Sequence, residues 1–363
     1  MRAVVLREVG RPTAVEQVAL RPVNSDEVRV QLAASGVCHT DLSVRDGQMP
    51  ALLPCTLGHE GAGVVVQAGD DVTTVGPGDH VVLTWNVPCR SCPHCLRGEA
   101  QLCPHGLNHA FGAPYAESAD GPLWPSMGAG TLAEQTLLPG AAAVPVDPSL
   151  PLDHAALLGC AVTTGVGAVI RTAAVRPGES VLVVGCGGVG LAAIQGARLA
   201  GAATIIAADR QAAQLPAALA NGATDTVDAG EADVATAVRD LTGSAGVDHA
   251  IEVVGKPATI REAYDATRRG GAVTVVGAAG HQDTVTFPAL SLMADGKTIR
   301  GSVYGGSDPA RDIPVLAGLA LRGRLDLEAL VTRRTGIDDV ETAFADMAAG
   351  RGARSVVCFA TTA

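Results

Sequence analysis

Four cysteines crowd one short loop as Cys89-x₂-Cys92-x₂-Cys95-x₇-Cys103. The loop contains Pro and Arg and too little apolar material to pack on itself, so something else must order it. Four thiolates at this spacing suit tetrahedral coordination and read as a closed structural zinc site. Two disulfides, free thiols or a nucleic-acid-binding zinc ribbon would use the same residue types. A reducing compartment argues against the disulfides, and the lack of a basic surface argues against the ribbon.

A second pattern could bind a dinucleotide. The apolar run 181–184 leads into Gly185-Cys186-Gly187-Gly188-Val189-Gly190 and then an Ala-rich helical stretch. Gly185 permits the tight turn, Gly187 lets backbone approach a pyrophosphate, and Gly190 allows close helix packing. In a chain with 44 glycines this motif alone is weak, and a plain structural turn would use it too. Asp209 strengthens it: it ends the next apolar run, 19 residues after Gly190, where a carboxylate can accept from an adenosine ribose. A 2′-phosphate would meet that charge, so the expected coenzyme is NAD rather than NADP, with Arg210 the neighbour that could soften the repulsion.

Three further residues are dispersed: Cys38 in Gly36-Val37-Cys38-His39-Thr40-Asp41, His59 in Gly58-His59-Glu60-Gly61-Ala62-Gly63, and Cys160 in Leu158-Gly159-Cys160-Ala161. Spacing does not join them, and a lone His or Cys of this kind is more often packing than ligand. The stretch from Gly58 through Gly63 and Gly69 to Val72, however, carries G-H-E-x₂-G-x₅-G-x₂-V complete. It resembles the signature of the zinc-dependent medium-chain alcohol dehydrogenases, and the resemblance runs over essentially the whole chain.

That resemblance implies a catalytic zinc held by Cys38, His59 and Cys160, with a fourth position open to water or substrate. Glu60 would be the nearby carboxylate able to visit the metal, and Asp41 the acceptor that orients His59. Zinc would then favour alkoxide over alcohol, and the nicotinamide would receive the hydride. Thr40 resembles the hydroxyl that takes the alcohol proton. His39 and Arg354 would face the coenzyme pyrophosphate, Val189 would press on the nicotinamide, and Trp85 would wall the substrate channel. Ser43 stands where many relatives place a relay His, so water must finish proton release. Gln214 replaces a common Lys near the adenosine ribose.

The resemblance leans toward the branch with thiol-dependent formaldehyde dehydrogenases and bacterial primary and aryl alcohol dehydrogenases. Residues 104–130, which often shape the substrate mouth, look shorter and richer in Pro and Gly than in those relatives. The expected reaction is oxidation of a primary or aromatic alcohol to an aldehyde or ketone. The alternatives are action on an S-hydroxymethyl thiol adduct and, remotely, a non-catalytic zinc protein.

The elements that must position these groups fall into two textures. The first half is punctuated by Gly, Pro and Asp between short β-rich runs at 28–32, 63–67 and 80–83. From about residue 180, apolar runs at 181–184, 204–208, 224–227, 249–254, 272–276 and 298–303 alternate with helical stretches, which describes a doubly wound parallel sheet. The expected class is therefore α/β: a GroES-like, partly open β-barrel catalytic domain at 1–161 and 304–363, carrying both zincs, with a Rossmann NAD-binding domain at 162–303 inserted. Helical patterns at 309–322 and 337–349 and a strand at 355–359 could extend either domain. The last strand of the inserted sheet resembles the edge by which relatives pair, so a homodimer is the first expectation and a tetramer the second.

Composition excludes other classes. The chain of 363 residues has 26 basic and 37 acidic residues, a net charge of −11, with no basic run. Nucleic acid and anionic membrane are thus poor partners, and a small-molecule alcohol or aldehyde is the expected one. Residues 1–6 read as the start of a strand, not a secretory signal. The longest apolar or Gly run, 181–194, has 14 residues and falls short of a membrane span. With six of nine cysteines in zinc-like patterns, a cytoplasmic location with reduced thiols is expected. Cys55, Cys186 and Cys358 read as small buried hydrophobes.

Overall fold

Short β-rich runs in the first half of the chain form two mostly antiparallel sheets, and the aliphatic runs of the second half form one parallel sheet. These assignments come from a computed structural model that describes residues 1–280 and 282–360. The chain divides into two compact units, Met1–Ala161 with Asp308–Ala363, and Val162–Ser307.

In the first unit the long strand Glu27–Gly36 is the organiser. It pairs antiparallel with Glu60–Ala68 on one side and Ser355–Cys358 on the other, while Gln135–Pro139 also bonds to it. A second sheet runs through Ala14–Gln17, Arg2–Leu6, Cys55–Thr56 and Gly121–Pro125. Inward residues of both sheets, including Val4, Leu6, Val28, Val30, Leu32, Val81 and Leu83, share one core with Phe344 of the helix Val340–Ala348. This is the partly open barrel with a GroES-like layout. The ambiguous closing segments belong here: the helices Pro309–Leu321 and Val340–Ala348 and the strand Ser355–Cys358 all return to the first unit.

The second unit carries six parallel strands in the order Asp225–Asp228, Thr204–Asp209, Ser180–Val184, Val247–Glu252, Thr267–Val275, Thr298–Gly301. Val181 pairs with Ile205 on one side and His249 on the other, and Val183 with Ala207 and Ile251. Both faces of the central strands are covered, which is why they read as continuous aliphatic runs and not as alternation. The chain reverses its direction of winding between Ser180–Val184 and Val247–Glu252, the switch point of a doubly wound sheet. The second boundary between units falls a little beyond the expected 303/304, because the turn Tyr304–Gly306 packs closely on the second unit: a Cβ on Gly305 would lie 2.5 Å from the Thr163 carbonyl.

Candidate active site

Cys38 stands at the N-terminus of the short helix His39–Arg45, and the Asp41 carboxylate reaches back so that Oδ2 accepts from Cys38 N at 3.2 Å. The other oxygen, Oδ1, accepts from Gly58 N at 3.0 Å and lies 3.0 Å from His59 Nδ1. One buried carboxylate thus ties the Cys38 segment to the His59 segment. Gly58 has φ +97°, and a Cβ there would strike Leu132 N at 2.3 Å, so the turn that delivers His59 requires glycine. Cys160 arrives from a third stretch, directly after the 3₁₀ turn Ala156–Gly159.

The ligand atoms of Cys38, His59, Glu60 and Cys160 all lie within 4.8 Å of one another. Because Asp41 engages Nδ1, His59 Nε2 is left buried with no partner. A buried nitrogen lone pair without a donor is costly, and beside two sulfurs it forms the donor set that zinc prefers. The residues present therefore fit a metal ion. Cys160 hydrogen-bonds Cys38 and pulls the Cys38 thiol well below its ordinary range, while Cys160 itself is pushed up. A cation bound between the two sulfurs would favour their thiolate forms.

Glu60 begins the strand Glu60–Ala68 opposite Gly36, where any Cβ would lie 2.1 Å from Oε2. Its Oε1 accepts from Ala161 N at 3.1 Å and sits 3.4 Å from Arg354 Nη1. Burial pushes the Glu60 carboxyl up to about 7. Oε2 has no partner, so this carboxyl is held at one oxygen and unpartnered at the other.

The four-cysteine loop is a separate cluster, also with all four sulfurs within 4.8 Å of one another. Cys92 N donates to Cys89 Sγ at 3.3 Å, and Cys89 N donates to Cys103 Sγ at 3.3 Å. Backbone donors from Ser91 and Cys92 bring the Cys89 thiol down to about 5. N–H bonds aimed at sulfur stabilise thiolate, the form a metal takes. All nine cysteines are free thiols.

In the second unit Gly185 has φ +99°, and a Cβ on Gly190 would lie 1.8 Å from the Gly185 carbonyl oxygen. A Cβ on Gly187 meets nothing within 4 Å. The helix Gly188–Ala200 starts there without a side-chain cap, leaving its first N–H groups for an anion. Asp209 ends its strand half-buried, with Oδ2 accepting from Cys186 N at 2.7 Å and Oδ1 from Gln211 N at 2.8 Å.

Comparison with known proteins places the chain in a family. Residues 24–148 match the family described as alcohol dehydrogenase GroES-like domain, and residues 188–319 match zinc-binding dehydrogenase. The chain is 35% identical to the S-(hydroxymethyl)glutathione dehydrogenase of Escherichia coli O1:K1, covering 98% of this chain and 99% of that one. The chain belongs to the zinc-dependent medium-chain alcohol dehydrogenase family. Within that family, benzyl alcohol dehydrogenase from Acinetobacter calcoaceticus is 32% identical, with a TM-score of 0.91 and 99% of each chain covered. An alcohol dehydrogenase zinc-binding domain protein from Burkholderia ambifaria is 39% identical, with a TM-score of 0.94, covering 99% of this chain and 98% of that one.

For this family member, the remaining expected residues divide into three groups. Thr40 and Ser43 are half-buried on the helix that follows Cys38, Trp85 is half-buried after the strand His80–Leu83, and Val189 is half-buried at the glycine turn. His39 and Arg210 are exposed. Arg354 and Gln214 are not exposed. Arg354, expected at the pyrophosphate, is only 5% exposed, and its Nη1 donates to the Val37 carbonyl at 2.9 Å beside Glu60. Its guanidinium therefore belongs to the electrostatics of the Cys38–His59–Cys160 cluster. Gln214 is likewise buried in the turn Ala212–Gln214, and Cys358 is half-buried, unlike the fully enclosed Cys55 and Cys186. Sequence reasoning did not foresee that Asp41 also binds Gly58 N and Cys38 N. An Asp three residues after an N-capping position was the only available signal.

Among the described residues no single helix is long and apolar enough to cross a membrane.

Proposed function

We propose that the chain oxidises a primary or aromatic alcohol to the aldehyde, with NAD as hydride acceptor. The supporting observation is the convergence of Cys38, His59 and Cys160, from three distant stretches, around a donor set with an unpartnered imidazole nitrogen. In this reading those three residues hold a catalytic zinc, and Cys89, Cys92, Cys95 and Cys103 hold a structural one. Bound there, zinc supplies the Lewis acidity that lowers the pKa of an alcohol hydroxyl. Asp41 fixes the His59 tautomer so that Nε2 presents its lone pair. Thr40 takes the alcohol proton, and water completes its release because the Ser43 hydroxyl is no base near neutral pH. Arg354 keeps the buried Glu60 carboxyl oriented.

NAD, bound on the Gly185–Gly190 turn with Asp209 on its adenosine ribose, supplies the hydride acceptor. A carboxylate at that place disfavours the 2′-phosphate of NADP. The zinc reading needs reduced thiols and therefore a reducing compartment, the cytoplasm. The strand Thr298–Gly301 lies at the edge of its sheet, and Leu290, Met293 and Val303 nearby are exposed, which supports a homodimer formed along that edge.

The curated relatives favour a second reading, action on S-(hydroxymethyl)glutathione. Against it stands the charge of residues 104–130: the segment has no Lys or Arg and carries Glu117 and Asp120. A glutathione adduct brings two carboxylates, and this mouth segment offers them no cation. An apolar alcohol needs none. The test is turnover of benzyl alcohol and short primary alcohols with NAD and NADP, alongside formaldehyde with and without glutathione. Turnover of the free alcohols supports the proposal, and turnover only with the thiol adduct overturns it in favour of the second reading.

A further inference from the structure

Glu252 ends the strand Val247–Glu252 and is fully buried. A carboxyl inside an aliphatic sheet is costly to bury unless hydrogen bonds offset the loss of water. Here one oxygen gathers them all. Oε1 accepts from Val254 N at 2.9 Å, Gly255 N at 2.8 Å and Thr259 Oγ1 at 2.7 Å, while Oε2 is buried with no partner. Burial raises its pKa.

What Oε1 holds is the loop 253–255 and the start of the helix Pro257–Ala266. That loop backs the glycine turn. A Cβ on Gly185 would meet Val254 Cγ2 at 2.8 Å and Val253 Cγ2 at 3.0 Å, and Val253 N donates to the Val184 carbonyl at 3.0 Å. On its other side, a Cβ on Gly277 would lie 2.0 Å from Gly255 N, and the Glu252 carbonyl accepts from Val276 N and Gly277 N. Three crossing segments at the C-terminal ends of neighbouring strands are therefore in contact with no spare room. They meet at the switch point, where open parallel sheets bind their ligands.

We propose that Glu252 is a positioning residue for the dinucleotide, fixing through Oε1 the loop against which the Gly185–Gly190 turn is set. The role rests on the reading of this unit as the NAD-binding one. Glu252 touches no coenzyme atom in this scheme; it acts through the backbone of Val254 and Gly255. A neutral Gln keeps the acceptor oxygen and so preserves the arrangement, whereas Leu removes it and leaves the Val254 and Gly255 N–H groups without that acceptor, the Gly255 one buried.

The experiment is a fluorescence titration of NADH, with NADPH in parallel, into the zinc-loaded enzyme as wild type, Glu252→Gln, Glu252→Leu and Thr259→Val. Glu252→Gln should bind NADH within about threefold of wild type, Thr259→Val a few-fold more weakly, and Glu252→Leu at least about tenfold more weakly. In steady state the loss should fall on KM for NAD more than on kcat. Wild-type affinity in folded Glu252→Leu overturns the role, as does a Glu252→Gln variant as weak as Glu252→Leu. If Glu252→Leu does not fold, an unchanged affinity in Thr259→Val is the overturning result and a weakened one the supporting result. A wild type that binds neither NADH nor NADPH overturns the coenzyme reading and this role together; one that binds while the variants match it overturns this role alone.

Discussion

His59 Nδ1 and Asp41 Oδ1 lie 3.0 Å apart, both side chains buried, and the same carboxylate accepts from the backbone of Gly58 and Cys38. Asp41→Asn keeps the shape but puts an amide donor or a weaker acceptor against the ring. Affinity at the Cys38–His59–Cys160 site should fall roughly 10–100-fold, read by competition with a zinc chelator, with the four-cysteine ion retained. Wild-type zinc retention in the variant would remove Asp41 from the scheme.

The two sulfur clusters share no residue, so their losses should separate. Cys38→Ser should reduce bound zinc from two ions per chain to one and abolish turnover while the folded far-UV spectrum persists. Cys103→Ser should lose the other ion and open the 89–103 loop to proteolysis, because that loop has little packing of its own. A fully active Cys38→Ser enzyme would contradict the proposed catalytic role.

The three fingerprint glycines are needed for different reasons. Gly190→Ala places a methyl 1.8 Å from the Gly185 carbonyl and should destabilise the second unit by about 1–3 kcal/mol or more. Gly187→Ala meets no protein atom within 4 Å, so its melting temperature should match wild type while NADH binding weakens sharply. Equal NADH affinity in Gly187→Ala would mean that no ligand approaches that backbone.

Asp209 accepts from Cys186 N and Gln211 N and so pins the turn, and in the proposed reading it would also repel a 2′-phosphate. Asp209→Gly should weaken NAD binding and shift the NADP-to-NAD preference toward NADP. The ratio of the two dissociation constants is the measurement, and an unchanged ratio retires the assignment.

Burial lowers the pKa of His109 to about 4, and its Nε2 has no partner. In the unfolded chain a His titrates near ~6.5, so between these values the folded state binds fewer protons. Stability is then full above the unfolded value and lost as pH falls from ~6.5 toward about 4, with a slope of at most ~1.4 kcal/mol per pH unit. Solvent screening at this half-buried ring reduces that limit. Denaturant unfolding of wild type and His109→Phe across this range should show a shallower acid slope in the variant; parallel slopes would assign acid sensitivity elsewhere.

Much of this was legible in the residues themselves. The central parallel strands declared themselves as aliphatic runs, because a strand covered on both faces can carry little else, and the four-cysteine loop declared itself because all its cysteines lie within one short segment. The winding between 180 and 303 follows from alternation, whereas the helix Ala289–Ala294 is too short, at six residues, and too exposed to leave a periodic apolar face.

Local pattern could not join Cys38, His59 and Cys160, which are far apart in sequence; only the signature around His59, through its resemblance to a family, suggested that they meet. Tertiary structure also decided where Arg354 goes. The resemblance put Arg354 at the coenzyme pyrophosphate; pairing of Ser355–Cys358 with Glu27–Gly36 carries it inward, where it donates to the Val37 carbonyl and lies beside Glu60. Glu252 shows the same limit. Its type and place were visible in the chain, but the three donors on one oxygen arise from how the loop after the strand folds back, and long-range packing sets that path.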